Sequence, residues 1–428
     1  MTAKCPGFRE AAHSCAMAFR LLAQAARRIP ASTLAVVAGG ATVATCHGAG
    51  VDRARLVELE AQVGKLAKLI GEDVESTTGQ GDMVFSWDRE KTACFPADCP
   101  RDCQSDMHGG FTEDPATGAV YTGIPGYGFC AISPDLTKWT RLGSDPRLKD
   151  NIHGLCCFVD AAGRTVVALA QNNDERVLIV AASTGAVLGE LAMPKGGEFA
   201  FAPANAYYSK KPLQQMPNGT PHRAKFACTD VAYLDGKLYV VTGYCDGDFV
   251  LTATLGAEGE WTWGPLAWGG KGSGAGEFDT AHGVFAFGGN IYVANREAHE
   301  VVEFSKDGAF LRSLPDIPDT ARVCNVARSE KYFVMNALEP IRHTPAKTAP
   351  IFAHDGDALR SVIEPGVLGI PVLKHLHHTW PHYAPDGSLY LLIHGWSEGK
   401  FAVLKHEPQG SPSVPRGWHY WKPEDRGF

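Results

Sequence analysis

The sequence predicts an all-β protein, a six-bladed β-propeller that carries an N-terminal helical and targeting extension. Two observations predict the class. First, 428 residues with 45% apolar and 20% charged side chains, 47 Gly and 27 Pro describe a globular chain of short strands and many turns. Second, from about Val84 onward one pattern recurs: an apolar strand, a turn with Gly, then a second strand ending in a Tyr-Val-type pair. The formal net charge of −7 and the lack of a basic tract exclude a nucleic-acid partner.

Residues 1–50 read as a targeting or membrane-anchor segment. Lys4, Arg9, Arg20, Arg27 and Arg28 stand against a single acid, Glu10, and an apolar run from Ile29 through Thr45 follows. Gly and Thr weaken that run as a membrane span. The expectation is a secreted or membrane-anchored lumenal protein, with a mitochondrial or plastid presequence as the alternative. Residues 51–82 read as a short amphipathic helix and linker. Leu56, Leu59, Val63, Leu66 and Ile70 form a coiled-coil seam over 51–72, which either pairs with copies of itself or docks on its own domain. Residues 75–82, Glu-Ser-Thr-Thr-Gly-Gln-Gly-Asp, read as linker.

Residues 83–410 hold the propeller and 411–428 a C-terminal tail. The clearest unit runs from Ala281-His282-Gly283-Val284 through Ile291-Tyr292-Val293 to Glu300–Phe304 and a strand begun at Ala309. Five others begin at Met107-His108-Gly109, Ile152-His153-Gly154, Cys228-Thr229-Asp230, Val323-Cys324-Asn325 and near His378. One four-stranded blade cannot bury both its faces, and stacking blades about an axis can. An insertion at about 194–222 carries the glycosylation sequon Asn218-Gly219-Thr220.

His108, His153 and His282 stand where the innermost strand of their unit begins, and His378, flanked by His377 and His382, lies close to that place in the last unit. Imidazoles from separate blades converging on one axis suit a divalent cation, and three neutral imidazoles with an open position suit catalytic zinc. Among the twelve cysteines, Cys94, Cys99 and Cys103 cluster and Cys156-Cys157 are adjacent, without a paired CxxC zinc pattern.

Further motifs follow in order: Phe226-Ala227-Cys228-Thr229-Asp230-Val231-Ala232, Val241-Thr242-Gly243-Tyr244-Cys245, Gly272-Ser273-Gly274-Ala275-Gly276-Glu277-Phe278, Ala281-His282-Gly283-Val284 and Ala294-Asn295-Arg296-Glu297. This series, best over about 150–305, resembles the NHL-repeat propeller of the peptidyl-α-hydroxyglycine α-amidating lyases. The resemblance implies a zinc-dependent carbon–nitrogen lyase that cleaves a carbinolamide to an amide and glyoxylate, acting on a peptide C-terminus or a related small carboxylate-bearing molecule. It implies that His153 and His282 are two of three zinc ligands, with the third from the last blade. His378 fits the count back from Asp386-Gly387. His382 follows Pro381 as the family's histidine does but lies too near the turn. Tyr244 matches the active-site tyrosine, Arg296 the carboxylate-binding arginine, and Cys228 with Cys245 a disulfide.

The departures bear on the substrate. Thr122-Gly123-Ile124-Pro125 stands where the family has a second arginine, His108 is an added channel histidine, and Thr379 follows His378 where a calcium-binding aspartate is expected. The family's monooxygenase domain has no counterpart in the sequence. A non-catalytic propeller, serving as an interaction platform or an accessory subunit of a membrane-associated complex, is the competing expectation.

Overall fold

The computed structural model describes residues 77–194 and 226–407, except 246, 258, 342–347, 371–374 and 397–399, together with short strands at Leu34–Val36 and Val43–Thr45. The chain divides into two compact units, 1–75 and 76–428. In the first, Leu34–Val36 pairs antiparallel with Val43–Thr45. The targeting reading otherwise lies outside the described residues, as do the 51–72 helix, the long insertion with Asn218 and the 411–428 tail. Among the described residues no helix is long and apolar enough to cross a membrane.

The second unit is a six-bladed propeller. Five blades are four-stranded antiparallel sheets and the sixth has five strands. Their innermost strands, from blade one to blade six, are Phe111–Glu113, Gly154–Val159, Asp230–Leu234, Ala281–Phe287, Val323–Arg328 and Leu376–Tyr383. Each of these strands touches the next, and the sixth touches the first, so the ring closes around a channel.

Period-two side-chain alternation builds the core between blades. On the second strand of blade two, Thr165–Gln171, Val166, Ala168 and Ala170 face blade three, while Val167 and Leu169 face blade one. The same logic yields six buried clusters, one for each gap between neighbouring blades. Each fully buried Val or Leu contributes roughly 1.5–3 kcal/mol. Polar bridges tie the inner strands in pairs. Thr112 Oγ1 accepts from Cys157 N at 2.8 Å, Asp230 Oδ2 from Val284 N at 2.9 Å, and Asn325 Nδ2 donates to Thr379 O at 2.8 Å.

Closure joins the two ends of the unit. Lys400–His406 of blade six pairs with Met83–Trp87, which pairs in turn with Thr78–Gln80. The linker assigned to 75–82 is therefore corrected: Thr78–Gln80 is the outermost strand of blade six. Its polar side chains are satisfied by blade five, with Glu364 N donating to Thr78 Oγ1 at 2.9 Å and Gln80 Nε2 to Val362 O at 3.1 Å.

Candidate metal centre and active site

A backbone irregularity builds the centre. In blades four, five and six the pairing of the inner strand skips one residue: Ala281 and Gly283 face consecutive partners, as do Val323 and Asn325, and Leu376 and His378. The skipped residues, His282, Cys324 and His377, are the extra residues of β-bulges, which break the ladder and re-aim a side chain. His153 and Thr229 occupy the corresponding places just ahead of the inner strands of blades two and three, and His108 lies three residues ahead of that of blade one.

Four imidazoles meet there. Ring centroids of His108 and His377 lie 4.2 Å apart, His108 and His153 4.5 Å, His153 and His377 4.8 Å, and His282 lies 4.8 Å from His153 and 5.0 Å from His377. One ligand atom from each of His108, His153 and His377 lies within 4.8 Å of the others. His153, His282 and His377 are buried, and His108 is partly open, stacked on Trp396 at 5.3 Å.

Carbonyls from the two blades that give no histidine to the cluster orient two of the rings. Thr229 O accepts from His153 Nδ1 at 2.6 Å, and Cys324 O from His282 Nδ1 at 2.7 Å. A carbonyl only accepts, so each Nδ1 carries the proton and each neutral ring offers its Nε2 lone pair. His153 Nε2 is buried with no hydrogen-bond partner, and His377 has a partner at neither ring nitrogen. Such a group costs free energy unless something satisfies it. Burial drives the His153 pKa down to about 3, against the Thr229 bond, and holds His108, His282 and His377 well below the ordinary histidine value. Neutral imidazoles that converge, with open nitrogens on His153 and His377, are the donor set a borderline divalent cation takes, so the residues fit a metal.

Beside the ring runs a polar line to the rim. The Tyr244 hydroxyl donates to His282 Nε2 at 2.9 Å and accepts from Arg296 Nη1 at 3.0 Å. Tyr244 follows the second strand of blade three, Lys237–Val241, and Arg296 follows that of blade four, Asn290–Asn295. The turn that carries Tyr244 requires Gly243, because a Cβ there would stand 2.2 Å from Ala281 O. Burial raises the Tyr244 pKa, and neighbouring Arg296 works against that rise. Burial disfavours the Arg296 charge, but Tyr244, Cys324 and Glu297 together hold it protonated.

Of the residues singled out in the sequence, His108, His153, His282, Tyr244 and Arg296 come together. His378 does not join them. It lies one residue beyond the bulge, stacked parallel to His394 at 6.3 Å and edge-on to Phe111 at 5.8 Å, on the wall of a channel cavity of about 240 Å³ that Asp230 also lines. His377 takes the place expected of His378. His382 is buried between blades six and one, bonded to Glu113 Oε2 at 2.9 Å and Pro134 O at 2.7 Å. The expected Cys228–Cys245 disulfide is absent. Both are buried thiols of one apolar cluster, where Cys228 Sγ donates to Arg176 O at 3.3 Å and Cys245 Sγ accepts from Ala227 N at 3.0 Å. Cys94, Cys99, Cys103, Cys156 and Cys157 are free thiols. The sequence left open which of His377, His378 and His382 faces the channel, and it gave no sign of Trp396 or Arg322. For His377 a signal existed, since it follows Leu376 as His282 follows Ala281 at the start of a blade.

No protein-family model matches the chain, and no curated protein matches it. Among solved structures it is similar to one described as a streptogramin B lyase, at 12% identity and a TM-score of 0.40 over 70% of this chain and 94% of that one.

Proposed function

We propose that this propeller is a metal-dependent carbon–nitrogen lyase acting on a carbinolamide, as the resemblance to the amidating lyases implies. The observation that carries the reading is His377, a buried imidazole with no partner at either nitrogen, among three other neutral imidazoles on the propeller axis. His108, His153 and His377 would hold the ion, and His282 would stand beside them with its Nε2 on Tyr244. Zinc suits an all-imidazole set better than a hard cation such as calcium does. A zinc ion held there would supply Lewis acidity toward the substrate hydroxyl oxygen.

The remaining chemistry falls to the chain's own groups. In the reaction the hydroxyl loses its proton, a carbonyl forms, and the C–N bond breaks with its electron pair going to nitrogen, which takes a proton. Tyr244 is suited to carry that proton, because its hydroxyl already sits in a donor–acceptor line between His282 and Arg296. Arg296 is suited to hold a carboxylate at the rim end of that line. The test is metal analysis of the purified chain together with turnover of an α-hydroxyglycine peptide to glyoxylate. About one zinc per chain with turnover lost on chelation supports the reading. A metal-free, inactive chain contradicts it and leaves the interaction platform.

A further inference from the structure

The rim above the histidine ring holds a second guanidinium. Arg322 stands two residues ahead of the ring position Cys324, the offset at which Asn151 precedes His153 and His375 precedes His377. Glu297 Oε1 accepts from Arg296 Nε at 2.9 Å and from Arg322 Nη2 at 2.5 Å, so one carboxylate oxygen is shared by two guanidinium groups. On its far side Arg322 Nη1 reaches Glu339 at 3.3 Å, while its Nε is buried with no hydrogen-bond partner. That nitrogen is a donor built into the site and left unused by the protein itself. Arg322 and Glu297 keep side-chain exposures of 31% and 27%, so the pair faces the solvent from which a ligand arrives.

We propose that Arg296 and Arg322 form a carboxylate clamp at the rim of the centre, and that Glu297 is its resting occupant, displaced when an anionic substrate binds. The inference rests on the lyase reading for its reaction but on the two arginines for its ligand. Planar guanidinium forks match a carboxylate through paired N–H···O bonds, and one carboxylate replaces another without leaving either cation unpaired. Arg322 thereby sets specificity for a charged over an uncharged substrate. Its side-chain bonds go to Glu297 and Glu339 and not to the imidazoles, so it acts on binding and not on proton transfer.

The experiment is isothermal titration of the full chain with glycolate and with its uncharged analogue glycolamide, in zinc-loaded and chelator-treated protein. The clamp predicts that glycolate binds at least 10-fold more tightly than glycolamide. It predicts that Arg322→Ala removes most of that preference and leaves glycolamide affinity unchanged. It predicts that Glu297→Gln tightens glycolate binding several-fold, because the neutral amide competes less well. Arg322→Lys, which keeps the charge but not the fork, guards against misfolding and should lose part of the preference. Equal glycolate binding by the parent chain and both Arg322 variants overturns the clamp. A preference that survives chelation in a chain without lyase turnover upholds the clamp while the lyase reading fails. Turnover untouched by Arg322→Ala, with glycolate affinity unchanged, overturns the clamp alone.

Discussion

The hydroxyl of Tyr244 lies 2.9 Å from Nε2 of His282, and the carbonyl of Cys324 fixes the opposite nitrogen of that ring. This relationship separates two roles within one group of histidines. His282 spends its lone pair on a phenol, whereas His153 and His377 leave theirs open to the axis. Removing the hydroxyl alone, in Tyr244→Phe, keeps the ring packed between His282 and Arg296. If Tyr244 carries the proton, turnover falls by roughly 10²–10⁴-fold while zinc content is unchanged. Steady-state kinetics beside metal analysis checks this, and a loss of under threefold would remove Tyr244 from the chemistry.

Acid should destabilise the chelator-treated protein before most carboxylates titrate. His394 is fully buried, its Nε2 bonded to the Gly109 carbonyl, and burial brings its pKa down to about 4. Unfolded, the same ring titrates near 6.5. Above that value neither state binds the proton and nothing is lost. Below it the unfolded chain takes up a proton that the folded chain refuses, so stability falls as pH falls from about 6.5 toward about 4. At pH 5 His394 alone accounts for a loss of about 2 kcal/mol, and His153, His282 and His377, whose pKa values burial also lowers, add to it. Urea unfolding at pH 7.5 and pH 5 measures the difference, and equal midpoints would refute the prediction.

The ring stays shut because Met83–Trp87 completes blade six. Phe85 of that strand is fully buried among Ile363, Leu391 and Leu404. Phe85→Ala should cost roughly 3–5 kcal/mol, as a large-to-small change in a packed core does. Thr92, outside that cluster, should tolerate Ser with its hydroxyl bonds to Asp88 O and Val403 N retained. Thermal unfolding of the two variants compares them, and a Phe85→Ala chain as stable as its parent would mean that closure does not depend on this strand.

The blades were legible in the sequence because burial on both faces of a stacked sheet leaves a strand–turn–strand rhythm, and each of the six units found by that rhythm begins a blade. The site was legible to within one residue. His153 and His282 were placed at the axis directly, but counting back from Asp386-Gly387 assumes an unbroken ladder, and the bulge at His377 inserts one residue into it. Thr78–Gln80 was hidden by its composition: Ser, Thr, Gly and Gln read as linker, yet here they pair with the closing strand and bond to blade five. Arg322 carries no local motif, and its partnership with Glu297 spans two blades, which spacing along the chain does not reveal.

Metal content of His377→Ala compared with His378→Ala tests the account most directly, by elemental analysis of the purified full chain after zinc loading. The two substitutions remove the same side chain from adjacent positions of one strand. Coordination by His377 predicts about one zinc per chain in the parent and in His378→Ala, and loss of most of that zinc in His377→Ala. Zinc retained in His377→Ala and lost in His378→Ala would contradict it.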